Sequence, residues 1–306
     1  MQPFKLTLPN GGTLTGLHNL LEPSSPAYTA ILVRNRPLLV TIHGGSYSST
    51  YFDADQKHSA SICSNGLGVP VVSIDRPLYQ GSSSFYPSEE GKTYHEALAL
   101  WLHRYILPTL WKEYGKECGS MVLHCHSLAT PSAVIVAGWV AQEREKGEGP
   151  AYPLAGLTIS GFGTQNTPQI VEQGKQPPPD PRPEYFNFPI DVKDNRMIPK
   201  GTADRAIYKQ SERLDSRMPY AEIADYKAIW GDSHWKALCG KVEMPVMIGL
   251  AEFDALWIGT EEHVKEFAGG FTASERVDAS VVKGAPHCME LSYWAQECKL
   301  REAKRS

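Results

Sequence analysis

The chain has 306 residues, 42% of them hydrophobic and 21% charged, and a net charge of −4 at pH 7. A chain this long can bury a substantial core, and ordinary apolar content with little net charge excludes bulk disorder. The same charge is a poor electrostatic match for nucleic acid or an anionic membrane surface.

Along the chain, Phe4–Leu8 and Thr13–Leu17 alternate around Asn10-Gly11-Gly12, which predicts a β-hairpin. Continuous apolar runs follow at Pro37–Ile42, Pro70–Ile74, Ser120–His124, Leu154–Ile159, Pro245–Leu250 and Val277–Val282. Runs that are apolar on both faces suit buried parallel strands. Helical spacing marks Ala54–Ser64, Thr93–Tyr114, Leu128–Glu145, Gly259–Phe267 and Met289–Ala303. Strands alternating with helices predict an α/β fold built on a mostly parallel, doubly wound sheet. Chemistry in such sheets gathers at the carboxyl ends of the strands. The residues just after each run are therefore the candidates.

Four of those positions carry suggestive chemistry. His43-Gly44-Gly45-Ser46 closes the first run, and Cys125-His126-Ser127-Leu128-Ala129 closes the third. Glu252-Phe253-Asp254 follows the fifth, and Gly284-Ala285-Pro286-His287-Cys288 follows the sixth. A serine is a weak nucleophile alone. It needs a base to take its proton, and the base needs a carboxylate to fix its tautomer.

In this order the four segments resemble the α/β-hydrolase superfamily, over roughly residues 30–300. Segment 125–129 resembles the nucleophile elbow G-x-S-x-G, with Cys125 and Ala129 in place of both glycines. The resemblance implies an α/β-hydrolase fold with Ser127 as nucleophile, His287 as base and Asp254 as acid, Glu252 being the alternative acid. It also implies an oxyanion hole from the N–H groups of Leu128 and Gly45, with Ser46 as the alternative to Gly45. His43 is expected to brace its loop. Asp75-Arg76-Pro77 with Gly81-Ser82 resembles a structural loop of the superfamily. Tyr79, His126 and Trp257 are the expected substrate-binding side chains. No metal ligand set is expected, because His124-x-His126 has no HxHxDH continuation, and no cofactor is implied. More loosely, the short HGGS loop resembles fungal α/β-hydrolases of natural-product pathways.

Between the fourth and fifth runs lie residues 164–242, where the superfamily inserts a cap, leaving 1–163 and 243–306 as the core. This stretch opens on the proline-rich segment Gly174–Pro183 and carries many rings, among them Tyr185, Phe186, Tyr226, Trp230 and Trp235. Each ring alone suits a small satellite core; together they suit a cover over an apolar pocket. The expected activity is hydrolysis of an ester, thioester or lactone of a mid-sized hydrophobic molecule. The same triad can also serve C–C cleavage, transacylation or base-promoted elimination, and the fold can serve as a non-catalytic ligand-binding protein. Six dispersed cysteines without a CxxC pair, no N-glycosylation sequon and no apolar leader point to a cytoplasmic protein.

Overall fold

The apolar runs become the strands of one sheet. A computed structural model describes residues 1–22, 26–85 and 92–295. The strands are β1 (Gln2–Thr7), β2 (Thr13–Asn19), β3 (Pro37–Ile42), β4 (Val71–Ile74), β5 (Ser120–His126), β6 (Leu154–Ser160), β7 (Tyr185–Phe186), β8 (Met218–Pro219), β9 (Val246–Phe253) and β10 (Val277–Pro286). The first helices are α1 (Pro26–Ala30), α2 (Ala60–Leu67), α3 (Tyr94–Trp101), α4 (Leu107–Tyr114) and α5 (Thr130–Glu145). Six short ones lie between β6 and β9: α6 (Pro168–Gln173), α7 (Ile190–Met197), α8 (Arg205–Tyr208), α9 (Ser211–Leu214), α10 (Tyr220–Trp230) and α11 (His234–Cys239). Helix α12 (Glu261–Ala268) follows β9.

Eight strands form a sheet in the order β1-β2-β4-β3-β5-β6-β9-β10. The β1–β2 hairpin turns at Gly11 (φ 81°) and joins β4 antiparallel, while all pairs from β4 to β10 are parallel. Alternation along β3 serves two cores. Leu38, Val40 and Ile42 join Leu123, Ile248, Leu98, Val136 and Phe267 in the larger one, while Leu39 joins Val71, Val122, Tyr51 and Phe52 in the smaller. Helix α5 is buried along most of its length, as a helix packed between sheet and helices must be.

The helices differ from expectation at their ends. The predicted helix at Ala54 starts at Ala60: Asp55 accepts the N–H groups of Lys57 and His58 and holds a turn, and Ser59 then caps α2. The predicted helix Thr93–Tyr114 is continuous but contains a π-helical turn at Leu102–Ile106, just before Pro108. Proline has no N–H for Arg104 to accept, which disturbs the ladder there. The predicted helix Met289–Ala303 is a 3₁₀ turn at Met289–Leu291, after which Ser292 is extended. The Ser292 hydroxyl donates to Met289 O and accepts from Trp294 N, competing with helix continuation. The rest of that expectation, residues 296–303, lies outside the described residues.

The segment between β6 and β9 divides its apolar side chains between both cores. Met197, Ile198, Ile207 and Leu214 enter the smaller core, and Trp230, Trp235 and Cys239 enter the larger. Trp230 meets Phe162 edge-on at 5.2 Å, and Trp235 meets Phe267 at 5.9 Å. These two rings are core residues, not pocket lining. Among the described residues no helix is long and apolar enough to cross a membrane.

Candidate active site

Strand β5 ends in a turn whose Ser127 has φ 52°. A non-glycine residue in this left-handed region is strained by roughly 1–3 kcal/mol, a cost typical of functional turns. The turn needs small neighbours. Cys125 and Ala129, which replace the usual glycines, are fully buried. A methyl added to Gly44 would stand 2.8 Å from Ser127 Cβ. Pro131 is accepted in the first turn of α5, where its missing N–H has no partner to lose.

The three residues predicted as a triad meet here. Ser127 Oγ lies 3.1 Å from His287 Nε2, to which it donates. His287 Nδ1 lies 2.9 Å from Asp254 Oδ2 and 3.0 Å from Oδ1. Asp254 Oδ1 also accepts the N–H groups of Leu256 (2.8 Å) and Trp257 (3.2 Å), which fixes the carboxylate plane. All three side chains are buried; Ser127 is 6% exposed and His287 is 2% exposed. Glu252, the alternative acid, instead binds Lys283 and the Gly284 N–H, away from the imidazole. Beside Asp254 opens a groove of about 580 Å³ lined by Thr167, Ile170, Val192, Asn195 and Arg196.

The HGGS loop lies against the elbow: a Cβ added to Gly44 would meet Ser127 and His126, and one added to Gly45 would meet Met218 and Leu128. His43 braces the loop, as expected. Its Nδ1 donates to Gly44 O (2.8 Å) and its Nε2 accepts the Arg76 N–H (3.2 Å). Burial holds His43 well below the usual histidine range, with Arg76 adding to the effect.

The three expected substrate-binding side chains are buried. Tyr79 is buried under the Arg76 guanidinium, 4.7 Å from the ring, and its hydroxyl donates to Glu222. Its phenol is consumed in supporting the loop. His126 is buried behind the triad, stacked on Tyr51 at 4.6 Å, and edge-on to His287 at 5.0 Å. Trp257 packs edge-on to Phe162 at 4.8 Å, with its indole N–H buried.

Sequence reasoning missed what stands behind His126. Glu290 is buried and accepts from Tyr51 OH (2.6 Å), while His124 Nε2 lies 3.2 Å and His126 Nδ1 3.4 Å from its carboxylate. Burial acts to raise the Glu290 carboxyl, but the imidazoles of His126 and His124 outweigh it and hold the group low. Burial pushes His126 down to about 3. Nothing in the sequence marks Glu290, three residues past His287, as a buried charge. His126, His287 and Cys288 also stand with ligand atoms within 4.8 Å of one another, and could together offer a metal two nitrogens and a sulfur. Burial pushes the Cys288 thiol up to about 12, so it is not a ready thiolate.

No family model matches the chain. Among curated proteins, DNA primase DnaG of Pyrobaculum arsenaticum is 27% identical over 138 residues, covering 45% of this chain and 30% of that protein. The match thus spans less than a third of that relative's length. Solved structures match from end to end. The chain is similar to a thioesterase domain from the curacin biosynthetic pathway, at TM-score 0.59 and 13% identity over 98% of both chains. It is similar to a hydrolase from Pseudomonas aeruginosa, at TM-score 0.60 and 14% identity over 99% of this chain and 98% of that one. It is also similar to the N-acyl homoserine lactonase AidH, at TM-score 0.60 and 14% identity over 99% and 96%. The chain has the α/β-hydrolase fold, as expected from its sequence.

Proposed function

We propose that this protein is a serine hydrolase of an ester, thioester or lactone in a mid-sized hydrophobic small molecule. One observation carries the reading: Ser127 Oγ, His287 and Asp254 form an unbroken hydrogen-bonded series at 3.1 and 2.9 Å behind a left-handed elbow. Its neighbours in fold include a thioesterase, an esterase and a lactonase, which supports acyl chemistry.

In this mechanism Ser127 attacks the carbonyl carbon while His287 Nε2 takes its proton. Asp254 keeps the imidazole in the right tautomer and stabilises its charged form. The N–H groups of Gly45 and Leu128 hold the oxyanion. His287 returns the proton to the leaving oxygen or sulfur, giving an acyl-enzyme on Ser127. Water, deprotonated by His287, then releases the acid. No cofactor takes part. The groove beside Asp254 has the volume of a site for a small molecule. A small, uncharged metabolite of secondary metabolism in the cytoplasm suits the near-neutral protein. Neither nucleic acid nor membrane is a partner in this reading.

A fluorophosphonate probe is expected to label the protein at Ser127, and Ser127→Ala is expected to abolish both labelling and ester turnover. Full labelling of the alanine variant would sink the assignment.

A further inference from the structure

Two buried cations reach the carbonyls of the HGGS loop, and both are anchored in the segment between β6 and β9. Arg76 Nη2 donates to Gly44 O at 2.9 Å, and Arg76 Nη1 lies 2.5 Å from Glu222 Oε1 of α10. Both charges are fully buried. Lys193 Nζ of α7 donates to Ser46 O at 3.1 Å and to Asp215, and lies 4.5 Å above the Tyr47 ring. The Ser216 N–H donates to the same Ser46 carbonyl at 3.1 Å. Ser46 itself has φ 60°, a conformation that needs support. Replacing a buried ion pair by well-packed apolar residues is often neutral or stabilising, so stability alone gives little reason to keep Arg76 and Glu222.

Peptide geometry supplies a reason. A trans peptide is planar, with its C=O and N–H pointing in opposite directions. The Gly44–Gly45 bond is trans, so a Gly44 carbonyl held on the Arg76 side turns the Gly45 N–H to the other side. A Cβ added to Gly45 would stand 3.0 Å from the Leu128 side chain, so the two proposed donors are neighbours.

We infer that Glu222, acting through Arg76, and Lys193 are positioning residues that set the Gly45 N–H for the oxyanion, making the β6–β9 segment a working part of the active site. This rests on the hydrolase reading above. A donor aimed at the oxyanion strengthens the transition state more than the ground state. Loosening it therefore lowers kcat and leaves KM nearly alone.

The test compares Glu222→Gln and Lys193→Met with wild type on p-nitrophenyl butyrate, and by calorimetry with a boronic acid that mimics the tetrahedral intermediate. Each variant is expected to lose kcat about 10- to 100-fold with KM within about threefold, and boronate affinity is expected to fall in step. Should Glu222→Gln not fold, Arg76→Lys keeps the charge opposite Glu222 but loses the fork that reaches Gly44 O, and the same split is expected. Folded variants with wild-type kcat and boronate affinity overturn the inference. A wild type that neither turns over esters nor takes the fluorophosphonate overturns the hydrolase reading instead. The clamp is then judged by a crystal structure of Glu222→Gln: a Gly44 carbonyl turned from Arg76 supports it, and one still facing Arg76 defeats it.

Discussion

Ser127 and Gly44 show how much of the site depends on single atoms. Ser127, the proposed nucleophile, stands in a left-handed turn, and the loop opposite approaches so closely that a methyl on Gly44 would lie 2.8 Å from Ser127 Cβ and 3.0 Å from His126 Cδ2. Real Cβ atoms essentially never come within 2.8 Å of another side chain, so Gly44→Ala must displace the elbow or the loop. Misplacing reacting groups by about 1 Å can cost 10²-fold. Gly44→Ala is expected to lower kcat/KM on a simple ester by roughly that factor and, by overpacking a buried site, to lower the melting temperature as well; steady-state kinetics beside a thermal melt checks both. At this scale Ser127, Asp254 and His287 were legible because each follows an apolar run that ends at one edge of the sheet. Arg76, Lys193, Glu222 and Glu290 were not. A charged side chain carries no mark in sequence of whether it will be buried, and each is buried by elements far away in the chain.

Among elements, those with long, regular patterning were readable and short ones were not. The run Pro37–Ile42 is β3 residue for residue, and the other sheet strands fall within a few residues of their runs at each end. Helices α8 and α9 have four residues each, too few to show a 3.6-residue period. Between β6 and β9 structure comes from burial against two cores, which local pattern does not reveal. Where helix ends are set by local chemistry, their energetics are simple. Thr93 caps α3 by accepting the Glu96 N–H, and Glu96 reaches back to the Thr93 N–H at 2.9 Å. Loss of such a capping box costs about 1 kcal/mol. Thr93→Ala should lower the free energy of unfolding in urea by that amount and leave kcat unchanged, since the cap lies outside the triad.

The whole molecule holds several histidines neutral in its interior. Burial lowers His95 and His126 to about 3 and puts His43 well below its ordinary value of 6.5. The folded state thus binds fewer protons than the unfolded chain once the pH drops below about 6.5. Stability contributed by His95 and His126 is complete above that pH and is lost progressively toward pH 3. Each group changes stability by about 1.4 kcal/mol per pH unit in that window. Between pH 7 and pH 5 the urea unfolding free energy is expected to fall by roughly 2 kcal/mol per buried histidine; an equal value at both pH values would contradict the neutral assignment. The order of assembly has a further consequence. Ser127 and His287 are separated by 160 positions, and the strands that carry Ser127 and Asp254 meet only through β6. Contacts this distant in sequence close late, because loop-closure entropy must be overcome first. On the ribosome, a chain that has emerged only as far as β6 carries Ser127 with neither Asp254 nor His287. On the proposed hydrolase reading the protein is therefore chemically silent through most of its synthesis, and reactivity begins when β9 and β10 complete the sheet.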